Sequence, residues 1–210
     1  RVPTVAAFET HLSELSDTGC VTEVLVIAGE ANGKRACFPS TQDVLKTGLL
    51  PGFGIRGIAV AGHPEGHPEM SRAETFEVLA QKQALADSQG LNMRIVTQFS
   101  FDPDQVLAWS RKLVPNGITA PVHVGLAGPT DTATLIKYAM RCGVGNSTSM
   151  LRRRGLGLLK ATDGGAAENV AQTIETTARD TNVQNIASLH IYPFGGLERS
   201  RDWLVSRGNW

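Results

Sequence analysis

The stretch Ile55-Arg56-Gly57-Ile58-Ala59-Val60-Ala61-Gly62 decides the fold class, together with the helical-period segment from Ser71 to Asp87 and the run Met93-Arg94-Ile95-Val96-Thr97-Gln98 that follow it. A short apolar, β-branched run stopped by glycine or a polar residue is the pattern of a strand buried on both faces. A helix between two such runs is the crossover that parallel strands require. Working outward, the same run recurs at Val24 to Gly29, Pro121 to Gly125 and Ala187 to Tyr192, so five buried strands are predicted. Helices are predicted from Thr4 to Ser16, Asp104 to Val114, Asp131 to Cys142 and Ala166 to Asp180 as well. Thr4 stands as an N-cap ahead of Val5, Phe8, Leu12 and Leu15 on one face, and Asp131 precedes Leu135, Ile136, Ala139 and Met140.

Such alternation calls for a parallel sheet, either doubly wound or closed as a (β/α)8 TIM barrel. A barrel needs eight strands, and the sequence supplies about five of the eight βα units. The chain starts on a helix and ends just after what reads as a last strand, so the expectation is one partial barrel over residues 1–210 with its missing units at the N-terminal end. An unpaired sheet edge of that kind predicts a partner chain or a homo-oligomer.

Composition narrows the function classes. Twenty basic and 20 acidic residues give a formal net charge of zero, which leaves no electrostatic footprint for wrapping a polyanion and argues against nucleic acid. No apolar stretch approaches the roughly 20 residues needed to cross a bilayer, and Arg1-Val2-Pro3 begins no signal-peptide core. Cys20, Cys37 and Cys142 are odd in number and show no C-x-x-C spacing, against a disulfide framework and a structural zinc site. A cytoplasmic protein with a small-molecule partner is expected.

Functional groups of parallel α/β folds collect at the C-terminal ends of the strands. Glu30, the segment His63 to Glu69, Thr97 with Gln98, Gly125 to Gly128, and His190 with Tyr192 occupy those positions. His63-Pro64-Glu65-Gly66-His67-Pro68-Glu69 tempts a metal reading because its histidines are four apart. Pro64 and Pro68 push both histidines out of the helical region, so they cannot share a helical face. The bland alternative is a rigid loop with half-exposed histidines. Gln98 is a carboxamide that can donate and accept in one plane, suited to a heterocycle edge or to capping the barrel rim.

The segment Gly62-His63-Pro64-Glu65-Gly66-His67-Pro68-Glu69 resembles a signature of the methylenetetrahydrofolate reductases, flavoproteins of the (β/α)8 barrel fold. Ile95-Val96-Thr97-Gln98-Phe99 is similar to the same family's strand end, and weaker likeness runs on to His190-Ile191-Tyr192. The resemblance implies reduction of 5,10-methylenetetrahydrofolate to 5-methyltetrahydrofolate with NADH or NADPH, through FAD. It places Gly29, His63, His67 and Lys82 against the cofactor, with Lys82 reaching its phosphates. Gln98 would bind the folate. Glu30, in the stretch Ala28-Gly29-Glu30, matches an aspartate that favours the substrate's iminium cation. Ala28 stands where the family has arginine, and His63 stands where tyrosine is common. Gly125 to Pro129 resembles a family loop after a strand, and Arg152-Arg153-Arg154 reads as a phosphate or glutamate-tail contact or as a solvated face. His123 reads as a core or rim histidine and His11 as lying on a polar helix face. The family's general acid has no equivalent in this chain. Two alternatives stay open: a flavin-independent reductase of the same substrate, and a non-catalytic folate-binding barrel.

Overall fold

The computed structural model describes residues 2–27, 37–67, 69–142, 165–180 and 185–208. Five strands form one sheet in the order β1-β2-β3-β4-β5, every pair parallel. They are β1 (Glu23–Val26), β2 (Gly57–Gly62), β3 (Asn92–Thr97), β4 (Val122–Ala127) and β5 (Ile186–Tyr192). The helices are α1 (Val5–Asp17), α2 (Thr41–Lys46), α3 (Arg72–Asp87), α4 (Pro103–Ser110), α5 (Thr132–Arg141), α6 (Gly165–Asp180) and α7 (Leu197–Arg207).

Strand order settles the choice that the alternating pattern left open. A doubly wound sheet reverses its strand order and carries helices on both faces, whereas here the order follows the chain and one face takes the helices. The register aligns Ile58 with Met93 and Val60 with Ile95, and Ile95 in turn with Val122. These side chains, with Val124 and Leu126, join one buried cluster with Phe8 and Leu12 of α1, Val44 and Leu45 of α2, Phe76 and Leu79 of α3, Val106 and Trp109 of α4, Ile174 of α6 and Trp203 of α7. Successive βα units wound this way are those of a (β/α)8 barrel.

Local signals explain the element boundaries. Thr4 accepts a hydrogen bond from Ala7 N at 3.1 Å, and Ser71 with Glu74 forms a reciprocal capping box at the start of α3. Asp131 accepts from Thr134 N at 2.8 Å ahead of α5. The helix predicted from Asp104 to Val114 is shorter: it ends at Ser110 with Arg111 as its C-cap, and a 3-10 turn at Val114–Asn116 follows, where Pro115 has no N–H to extend an α-helical ladder.

Four expectations are corrected. Helix α7 follows the last strand, and its buried residues are only Ser200 and Trp203, with Leu197 and Val205 exposed, so it shows little apolar period in the sequence. Helix α2 has six residues, too few for a period to register. Gly125 to Ala127 belong to strand β4 rather than to a loop. Finally, β1 and β5 are not buried on both faces: each has one neighbour among the described residues, and Leu25 and Ile27 are 41% and 66% exposed. No helix among the described residues is long and apolar enough to cross a membrane.

Candidate functional site

Strands β2 and β3 pair to their ends, Gly62 opposite Thr97. The next residues, His63 and Gln98, therefore leave adjacent strands side by side on the face away from the helices. Gly62 itself lets α4 pack closely on the other face of the sheet: a Cβ there would lie 2.7 Å from Ile95 Cγ2 and 3.0 Å from the Trp109 ring.

After β2 the chain turns at once. Gly66 N donates to the His63 carbonyl at 3.1 Å, and Gly66 takes φ +108°, a conformation that L side chains rarely adopt. The turn brings back what the prolines forbid on a helix, since the rings of His63 and His67 meet edge to face with centroids 4.8 Å apart. His67 Nδ1 accepts from Glu69 N at 3.1 Å, which makes Nδ1 the unprotonated nitrogen and leaves Nε2 as the donor in the neutral ring. Burial pushes the His63 pKa down to about 4, helped by the charges of His67 and Lys82, so His63 is a neutral imidazole near pH 7.

A small, partly enclosed cleft lies between this turn and the end of β3, lined by residues 63 to 66 with Gln98, Phe99 and Cys142. Gln98 Oε1 accepts from Phe99 N at 3.2 Å, which fixes the carboxamide and directs its remaining donors elsewhere. Thr97, by contrast, is fully buried and accepts from Gly125 N at 2.8 Å. Phe99 begins a second apolar cluster with Phe101 and Ala127, against which Tyr138, Cys142, Tyr192 and Phe194 pack. Phe194 has φ +44° and stacks on Tyr138 at 4.6 Å.

The cleft thus joins His63 and Gln98, with His67 in ring contact behind. Lys82 lies on the inward stripe of α3 with the buried Phe76, Leu79 and Ala86, and does not line the cleft. Desolvation lowers its pKa, and its charge reaches His63. Ala28, Gly29, Glu30 and Arg152 to Arg154 lie outside the described residues. His123 and His190 are half-buried on β4 and β5, and burial, then neighbouring positive charge, lowers both pKa values. His11 is exposed, 3.6 Å from Glu14. Cys142 and Phe194 were missed by sequence reasoning. No motif marks Cys142, and the only trace of Phe194 is the glycine pair that follows it.

No family model matches the chain. Over 151 residues, 71% of its length, the chain is 28% identical to methylenetetrahydrofolate reductase 1 of Schizosaccharomyces pombe, of which it spans 24%. A solved structure from Clostridium thermocellum, of a protein that binds two copies of 5-methyl-5,6,7,8-tetrahydrofolic acid, superposes with a TM-score of 0.54 at 10% identity, covering 94% of this chain and 69% of that one. The second likeness is one of fold. The first runs through most of the chain, and it agrees with the family that the His63 to Glu69 segment resembles.

Proposed function

We propose that this chain forms the cofactor- and folate-facing part of a methylenetetrahydrofolate reductase-like oxidoreductase, which reduces 5,10-methylenetetrahydrofolate to 5-methyltetrahydrofolate. One observation carries the reading: the turn from His63 to Gly66 and the Gln98 carboxamide converge on a single cleft at neighbouring strand ends. The similarity to the S. pombe reductase supports the same chemistry.

Each residue then has a role suited to its surroundings. Gln98, held by Phe99 N, presents its amide donors to the edge of a pterin. Neutral His63 and its ring neighbour His67 offer flat, polar-tipped surfaces to the cofactor. The residues present fit FAD in one further respect. Lys82 is a desolvated cation with no carboxylate in ion-pair distance among the described residues, and phosphate would relieve that. FAD bound there would supply the redox chemistry between NAD(P)H and the folate, as Gly29, His63, His67 and Lys82 hold it. Glu30 would favour the cationic form of the substrate by its carboxylate charge.

The test is a visible absorption spectrum of the natural full-length protein, followed by titration with FAD. Stoichiometric flavin is the expected result, together with NAD(P)H oxidation that depends on methylenetetrahydrofolate and falls on Gln98→Ala. Absence of saturable flavin uptake would overturn the FAD assignment. NAD(P)H turnover would then mark a flavin-independent reductase, and folate binding without turnover an accessory barrel.

A further inference from the structure

We infer that Tyr192, at the end of β5, is a positioning residue for Gln98, acting across an intervening strand through the peptide that joins Thr97 to Gln98. The inference rests on the proposed folate role of Gln98 and deepens it.

The register shows why a clamp is needed. Strands β2 and β3 pair through Thr97, but the ladder between β3 and β4 ends at Val96 and His123. Beyond that point the Thr97 carbonyl and the Gly125 amide lie buried between strands with no backbone partner from the β3–β4 ladder. Two side chains replace them. Thr97 Oγ1 accepts from Gly125 N at 2.8 Å, and the Tyr192 hydroxyl donates to the Thr97 carbonyl at 3.0 Å.

The Thr97 carbonyl and the Gln98 N–H belong to one peptide plane. Gln98 N donates to the Gly62 carbonyl at 2.8 Å on the other side. The plane is thus held from β2 by a backbone bond and from β5 by a phenol. With the preceding peptide fixed and its own Oε1 bonded to Phe99 N, Gln98 has little freedom left in the direction of its amide donors.

Glycine at 125 makes the reach possible. A Cβ there would collide with the Thr97 oxygen and sit 2.8 Å from Tyr192 Cε2, so the ring crosses β4 where that strand has no side chain. His190 meets the ring edge at 4.7 Å, and Phe194 stacks beside it at 6.1 Å. Burial raises the phenol pKa to about 12, so the hydroxyl stays protonated and remains a donor throughout the physiological range.

The experiment uses Tyr192→Phe, which removes the hydroxyl and keeps the ring, alongside Gln98→Ala and the double variant, with 5-methyltetrahydrofolate as the probe in calorimetric titration. Loss of one hydrogen bond predicts that Tyr192→Phe weakens folate binding by about three- to tenfold. The double variant should bind no more weakly than Gln98→Ala alone, because Tyr192 acts through Gln98. Folate binding by Tyr192→Phe equal to wild type would overturn the inference, as would a double variant whose loss is the product of the two single losses. The side-chain amide signals of Gln98 in the 15N–1H spectrum of ligand-free protein give a second readout. They should shift and broaden in Tyr192→Phe. If wild type binds no folate, the proposed role of Gln98 fails, and these signals alone decide the clamp: unchanged signals would overturn it.

Discussion

Lowering the pH from 7 to 4 should destabilise the protein through His63 in a way that can be isolated. The unfolded chain protonates this residue at the ordinary value of 6.5, whereas the folded protein holds it neutral down to about 4 because the ring is buried beside His67 and within reach of the Lys82 charge. Below pH 6.5 the unfolded state takes up a proton that the folded state refuses, so the stability contributed by neutral His63 is present above 6.5 and drains away as pH falls towards 4. At about 1.4 kcal/mol per pH unit, the displacement is worth roughly 3 kcal/mol at most. Acidic groups titrate over the same interval, so the quantity to measure is a difference. Urea unfolding of wild type and of His63→Asn at pH 7, 6, 5 and 4.2 should show wild type losing about 3 kcal/mol relative to the variant, nearly all of it below pH 6.5. The proton resonance of the His63 ring should titrate near 4 in the same samples. A stability difference flat with pH, or a ring midpoint near 6.5, would refute the burial that the turn imposes.

Three further outcomes are expected. Gly125→Ala places a methyl group against the Thr97 carbonyl and the Tyr192 ring, and should cost about 1–3 kcal/mol in urea unfolding, as overpacking of a rigid backbone does. Lys82→Met removes a desolvated ammonium that has no carboxylate partner among the described residues, so the urea midpoint should hold or rise, while FAD affinity in a flavin titration should fall at least about tenfold. At Phe194, where φ is +44°, the Gly variant should be more stable than the Ala variant by about 1 kcal/mol in thermal melts, reversing the usual order because only glycine takes that conformation without strain. A more stable Ala variant would show the turn relaxing elsewhere.

The strands were legible because each is a compact apolar run with a stop signal, and buried β2, β3 and β4 obey that rule closely. Helix α3, predicted from Ser71 to Asp87, runs from Arg72 to Asp87 with Ser71 as its N-cap. Helix α7 was not legible, because its burial comes from one tryptophan and one serine and the rest of its face is wet. At the site, the sequence brought His63, His67 and Gln98 forward through local motifs, and the structure joins them. Lys82 was placed by the same resemblance; it does not line the cleft, although its charge reaches His63. The prolines were read correctly as excluding a shared helical face, yet the histidine rings still meet, since a four-residue turn closes a distance that periodicity ignores. Tyr192 could not be connected with Thr97 from sequence. The bond spans 95 residues and depends on the absence of a side chain at position 125 on the strand between them.

The sequential strand order has a further consequence for how such a protein changes over time. His63 and Gln98 terminate neighbouring strands and are joined by one helix, so both halves of the cleft belong to a single βαβ passage from Gly57 to Gln98. Recombination that moved this passage as a block would transfer the pair proposed to face the ligands intact. The hydroxyl that braces it would stay behind on β5. A transplanted passage would therefore carry the proposed recognition residues first and would have to acquire rigidity from its new neighbours.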